Sequence, residues 1–217
     1  PELRRRHGKP LPDAYVAGKR FSTMTGKADG KLMLAPVEPF RQHGQSGAWV
    51  SDFLPHTGRI ADELCFIKGM HTDAVNHAPA ISLMLSGAQI PGRPTLGAWL
   101  TYGLGSESEN LPAFAVMTSV SKGTTCGQIF YDFYWGSGFL PSRYLYTQCR
   151  DTDQPSAGLV IDLKQRGLLD DTLVIWGGEF GRTPFIQGSL DDREHWGRDH
   201  HPYAFTTWIA GGGVRPG

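Results

Sequence analysis

The chain is short of cysteine, of net charge and of long apolar runs, and each shortage argues against a class of protein. Its three cysteines, Cys65, Cys126 and Cys149, are widely spaced and odd in number, which speaks against a disulfide framework or a CxxC zinc site and leaves them as buried thiols. Twenty-one basic side chains are balanced by 21 acidic ones. No nucleic-acid partner is expected, because sequence-independent affinity for a polyanion rests on an excess of Lys and Arg. The one basic run, Arg4-Arg5-Arg6-His7, reads as a solvated face. No apolar stretch approaches the roughly 20 residues that span a bilayer, so no transmembrane segment is expected, and no leader pattern is visible. Gly44-Gln45-Ser46-Gly47 and Ser86-Gly87 lack the GxSxG elbow that exposes a nucleophilic serine between strand and helix. Gly103-Leu104-Gly105 has no third glycine at the dinucleotide spacing and follows no strand, which argues against a nucleotide cofactor.

What is present is a chain of 217 residues, 40% of them hydrophobic, enough for one sizeable core and a single domain over 1–217. Its 28 glycines and 15 prolines imply shaped loops, which suits a site built on loops. Residues 1–39 are polar and weakly periodic and read as extended loop lying on the core. Ala48, Trp49, Phe53 and Leu54 have helical spacing before Pro55, and Ile60, Ala61 and Leu64 continue as a second helix into the strand Cys65-Phe66-Ile67. After a polar loop, Ala78 to Leu85 predicts a helix with Pro79 in its first turn and Asn76 or His77 at its mouth. Thr95 to Tyr102 predicts another helix with Thr95 near its cap, and Ala113 to Met117 a strand. Residues 118–150 read as an aromatic-rich loop region. Asp151 to Pro155 then caps a helix through Leu159, Val160 and Leu163 that Gly167 ends. A last strand, Ala204 to Ala210, runs into Gly211-Gly212-Gly213. Helix and strand alternate, and the expected class is α/β.

The segment from Thr172 to Pro202 carries the chemistry. Thr172-Leu173-Val174-Ile175-Trp176 reads as a parallel strand covered on both faces, and it opens into Gly177-Gly178-Glu179-Phe180-Gly181-Arg182-Thr183. Glycines on both sides of Glu179 let the backbone turn and point the carboxylate into a crevice at the strand end, where open α/β sheets bind ligands. Asp199-His200-His201 follows, and His71, Asp73, Asn76 and His77 form a second cluster after an independent strand. Carboxylate and imidazole donors suit a divalent ion. The bland alternatives stay open: Asp199 capping a turn with the histidines stacked on Trp196 or Tyr203, and Glu179 paired with Arg182 or Arg198. His7, His43, His56 and His195 read as surface or satisfied core residues.

The residues that match a known family are Phe40-Arg41-Gln42-His43-Gly44-Gln45-Ser46-Gly47, Ile60-Ala61-Asp62-Glu63-Leu64-Cys65-Phe66-Ile67, Asn76-His77 with Pro79-Ala80, Gly92-Arg93-Pro94, Trp176 to Thr183, and Gly197-Arg198-Asp199-His200. Together they resemble the DUF1501 family, a bacterial group frequent in planctomycetes and related to sulfatases and alkaline phosphatases. The resemblance implies an alkaline-phosphatase-like three-layer α/β/α sandwich with an incomplete sheet. It also implies a divalent metal ion of the zinc, manganese or calcium class and a small anionic ester substrate. Carried over residue by residue, it implies metal binding by Glu179, Asp199, His200 and His77. His77 falls near the nucleophile position of the sulfatase segment and contacts metal or substrate oxygen, while Arg182 or Arg198 holds the anionic group. It further implies a periplasmic or extracytoplasmic location.

The same resemblance sets expectations about completeness. The chain is expected to begin after the family's first ligand strand, to stop before its C-terminal part, and to carry a deletion junction near 145–148 where relatives hold a Trp-Asp-x-His segment. The expected activity is therefore that of a metal-dependent phosphate- or sulfate-ester hydrolase with ligand segments missing. The alternative is a non-catalytic binding or structural member of the same fold.

Overall fold

A computed structural model describes residues 2–16, 30–106, 112–117, 141–193 and 196–217 of the chain. Cys126, His195 and the aromatic run from Phe130 to Phe139 lie outside the described residues.

The centre of the structure is a three-stranded sheet in the order β3 (Cys65–Met70), β7 (Phe205–Ala210), β4 (Val174–Trp176). Both outer strands pair antiparallel to β7, with Cys65 opposite Ile209 on one side and Trp176 opposite Trp208 on the other. Because β3 and β4 both oppose β7, they point the same way. The loops that leave them, and the chain that enters β7, therefore meet at one end of the sheet.

Side chains alternate across the strands. Phe66, Val174, Trp176, Trp208 and Ala210 face the long helix α6 (Pro141–Gln165), where they pack with Ile60, Leu64, Ala157, Val160, Leu163 and Leu169. Trp176 and Trp208 stack at 5.7 Å with their planes 3° apart, a cross-strand aromatic pair that pins the register. The opposite face is exposed at its edges, with Ile175 53% and Ile67 37% exposed, while Thr207 on the central strand is buried. Both expectations for the 172–176 strand are thus corrected: among the described residues it is an antiparallel edge strand, and its Ile175 side is exposed. Its run of apolar residues is the same for a buried parallel strand and for a short edge strand, which is why sequence alone could not separate them. The class is mixed α/β, with small antiparallel sheets.

Three further predicted elements are corrected. Ala48 to Leu54 is not a helix; Ala48–Ser51 is strand β2, hairpinned to β1 (Phe40–His43), with Ala48 and Val50 buried and Trp49 exposed between them. The 44–47 turn has Gly44 and Gly47 at φ +65°, a conformation that favours glycine. Asp62 clamps this turn by accepting the Gln45 and Ser46 backbone N–H groups, each at 2.9 Å. Ala113 to Met117 is not a strand. The part of 118–150 that is described, from Pro141 on, is helix, so α6 starts ten residues before its expected cap at Asp151.

The helices that open near His77 and Thr95 and the last strand are where the sequence placed them, whereas the second helix expected through Ile60, Ala61 and Leu64 is only a 3-10 turn and the 1–39 region, expected as extended loop, holds two short helices. α3 (Pro55–Arg59) leads through a 3-10 turn (Ala61–Glu63) into β3, and α4 (His77–Ser86) has Asn76 at its N-cap. α5 (Leu96–Leu104) is capped by Thr95, whose hydroxyl accepts the Ala98 N–H at 3.3 Å. Gly167, at φ +71°, follows the end of α6. Near the N-terminus, α1 (Glu2–Arg5) and α2 (Asp13–Val16) are short, and buried Leu11 and Met33 pack against Phe185. A second hairpin, β5 (Gly181–Gln187) with β6 (Gly197–His201), takes up the segment read as a Gly-rich turn and the Asp199-His200-His201 run.

Asp153, placed by its sequence as part of a local cap, instead caps another helix. Its buried carboxylate accepts the backbone N–H of His56 at 2.8 Å, that of Thr57 at 2.7 Å and the Thr57 hydroxyl at 2.6 Å. These groups open α3, so Asp153 joins α6 to the segment that leads into β3. Removing it leaves buried donors without an acceptor. Asp153→Ala should cost about 2–4 kcal/mol, read as a lower urea midpoint at unchanged slope, with Asp153→Asn intermediate. A midpoint unmoved by Asp153→Ala would show that this cap does not hold α3 to α6.

Candidate functional site

The meeting of strand ends places the predicted residues together. His77 is the first residue of α4, just past the loop that leaves β3; Glu179 follows β4; Asp199 and His200 lie on β6, which leads into β7. The Thr72 N–H donates to the Pro202 carbonyl at 2.9 Å, tying the loop after β3 to the turn before β7.

The four side chains form a line of contacts. Glu179 Oε1 meets His77 Nδ1; His77 Nε2 faces His200 Nε2 at 2.9 Å; His200 Nδ1 lies 3.2 Å from Asp199 Oδ1. That same Oδ1 accepts the His200 backbone N–H at 2.8 Å. Both rings are buried, His77 to 4% and His200 to 6% exposure. Phe180 lies beneath them, its ring 4.8 Å from each imidazole, and is seated on Ala74 and Ala80. Asp199 is fixed through its backbone: its N–H donates to Thr183 Oγ1 at 3.1 Å, and that hydroxyl donates to the Phe185 carbonyl at 3.0 Å.

The two arginines part company. Arg182, opposite His200 in the β5–β6 pairing, is exposed, and its positive charge acts on Glu179, Asp199 and His200. Arg198 turns away, donating to the carbonyls of Thr183 at 2.9 Å, Leu34 at 2.7 Å and Ala35 at 3.2 Å. Its burial pushes the guanidinium down to about 10. Arg198 thus fastens the N-terminal segment to the hairpin, and Arg182 is the arginine at the cluster.

Glu179 therefore pairs with an imidazole, not with Arg198. The stacking alternative holds for His201, edge-on to Tyr203 at 6.0 Å, and not for His200. His71 and Asp73 are exposed, Asn76 stands at the α4 N-cap, and His77 is the member of the second cluster whose side chain joins this line of contacts. Phe180, Thr183 and the division of labour between the arginines were missed by sequence reasoning. The run Glu179-Phe180-Gly181-Arg182-Thr183 carried part of the signal, since Arg182 and Thr183 are neighbours in one strand and so face opposite sides of it.

The donor chemistry fits a divalent ion in part. Two imidazole Nε2 atoms at one point, each ring backed at Nδ1 by a carboxylate, is how histidines are oriented toward zinc or a similar ion. It suits calcium poorly, which takes oxygen ligands. Among the described residues no group of three or more His, Cys, Asp or Glu converges on one centre. The residues that would hold an ion are thus His77 and His200.

Burial alone would raise the Glu179 carboxyl, but the His77 ring, its own backbone N–H and Arg182 hold it below the usual 4.5. Burial likewise works against Asp199, and the ring and backbone N–H of His200, with Arg182, hold it below 3.8. Burial pushes the His200 ring below 6.5; the bond to Asp199 opposes this, and Arg182 and His77 reinforce it. All three groups bind protons more readily when unfolded, so each stabilises the fold at higher pH. For the metal-free chain, stability should fall on acidification, first below 6.5 through His200, then below 4.5 and 3.8 through the carboxylates. Thermal melting across this range checks it, and Asp199→Asn should flatten the acid limb. A profile that stays level would contradict the assigned directions.

No curated protein matches the chain, and no solved structure matches it. A family model described as "Protein of unknown function (DUF1501)" matches residues 1–150 and 144–217. With those two segments spanning the sequence from Pro1 to Gly217, and with the quoted motifs within them, the chain belongs to the DUF1501 family.

Proposed function

We propose that the chain is a metal-dependent hydrolase-like protein of the sulfatase and phosphatase kind, acting on small anionic phosphate or sulfate esters. The observation that carries the reading is the pair of buried imidazoles facing through Nε2, each with a carboxylate at Nδ1, beside one exposed guanidinium. A divalent ion bound there would polarise an ester oxygen or lower the pKa of a water. Arg182 would hold the anionic group through paired donors, and its position opposite His200 brings it to the same end of the sheet. Phe180 excludes water from beneath both rings. The alkaline-phosphatase-like architecture and an extracytoplasmic location belong to this same reading and rest on the family resemblance.

A non-catalytic binding or structural role is favoured by one specific observation. Position 77 offers an imidazole where a sulfatase-like enzyme needs a hydroxyl or thiol nucleophile, and that imidazole is buried and held by Glu179. Elemental analysis of the purified chain separates the two. The hydrolase reading expects about one ion per chain, lost in His77→Ala and in His200→Ala. It also expects metal-dependent cleavage of an aryl phosphate or sulfate, reduced about 10²-fold in kcat/KM by Arg182→Ala. Folded, metal-free protein without such turnover would leave the non-catalytic reading in its place.

A further inference from the structure

Glu179 and Asp199 were expected as direct metal ligands, but each spends an oxygen on an imidazole nitrogen. We infer that Glu179 and Asp199 are positioning residues that fix His77 and His200 as Nδ1–H tautomers, and that only the two Nε2 atoms touch a bound cation. The inference rests on the metal-binding reading above for its second half; the first half concerns the rings themselves.

The physical reason lies in donor and acceptor counting. An ionised carboxylate accepts hydrogen bonds and donates none. The Glu179 oxygen against His77 Nδ1 therefore requires the proton on that nitrogen, and Asp199 Oδ1 at 3.2 Å requires the same of His200. With both Nδ1 atoms protonated, the two Nε2 atoms that face one another across 2.9 Å close a hydrogen bond only if one of them also carries a proton, and are otherwise two acceptors. Two acceptors at that distance repel unless a positive species lies between or beside them. The backbone allows no easy escape. His200 is locked by its own N–H on Asp199 and by the Thr183 hydroxyl on the Asp199 N–H, and Phe180 blocks both rings from below. The geometry thus supplies two nitrogen donors with fixed tautomers and leaves the carboxylates behind them.

The order of roles has a distinct signature. Glu179→Gln and Asp199→Asn keep a carbonyl oxygen that accepts the same Nδ1–H, so they preserve the tautomer while weakening its support. Isothermal titration with zinc(II) as the probe should show a loss of about 10–100-fold in affinity for either variant, against complete loss in His77→Ala and His200→Ala. Nitrogen-15 correlation spectra of the imidazoles in the metal-free wild-type chain should show a proton on Nδ1 of both rings, a readout that needs no variant to fold. If Glu179→Gln or Asp199→Asn abolishes zinc binding as completely as the histidine variants, with both rings unchanged in the spectra, that carboxylate is a ligand and the assignment fails. It also fails if either ring carries its proton on Nε2 with Nδ1 bare. If the wild-type chain binds no zinc while both rings show Nδ1–H, the metal-dependent function falls and the tautomer assignment stands.

Discussion

Antiparallel pairing of β7 between β3 and β4 is the constraint on which the rest of the structure hangs. A strand can oppose two neighbours only if those neighbours run alike, so the exits of β3 and β4 are forced to the same edge as the entry to β7. Nothing in the individual segments requires His77 to meet His200. The sheet requires it, because each lies close in the chain to one of those ends. The stacked pair of Trp176 and Trp208 makes the arrangement specific, since a slip of one residue along β7 would turn every side chain to the opposite face.

Energetically, the two faces of the sheet are unequal. One is sealed by α6 with Leu64 and Val160 fully buried, and the other leaves Ile175 and Ile67 in solvent. Cohesion therefore depends on α6 staying docked. Asp153 gives that docking a polar anchor, joining α6 to the start of α3, while Cys149, one turn earlier, is pushed up to about 11 by burial and stays a protonated thiol. Arg198 is the counterpart at the other end. Its guanidinium, donating to three backbone carbonyls, fixes the 34–35 segment to the β5–β6 hairpin.

The sequence made the positions of the site legible and left their relations illegible. Glu179 after an apolar strand, Asp199-His200 before another and His77 at a helix mouth could each be read from local pattern. That Glu179 meets His77 Nδ1 and not Arg182 or Arg198 depends on where β5 crosses β6, which no local pattern encodes. The fold divides in the same way. Thr95, Gly167 and the helix opening at His77 are local signals, and they were read correctly. Ala48–Ser51 was not, because Trp49 and Phe53 lie four apart and mimic a helical face while the strand alternates around Trp49. The pairing of β1 with β2 and the Asp62 clamp on their turn are tertiary choices that override that local appearance.

The line of contacts through the cluster joins residues far apart in the chain: 102 positions separate His77 from Glu179 and 123 separate it from His200. Closing such long loops costs entropy before any contact rewards it. The helix α4 and the β5–β6 hairpin can form early from near neighbours, but the imidazole pair can form only once β3, β4 and β7 have assembled. The site is thus a late product of folding, and a chain arrested short of the native state would hold all four side chains and none of their chemistry.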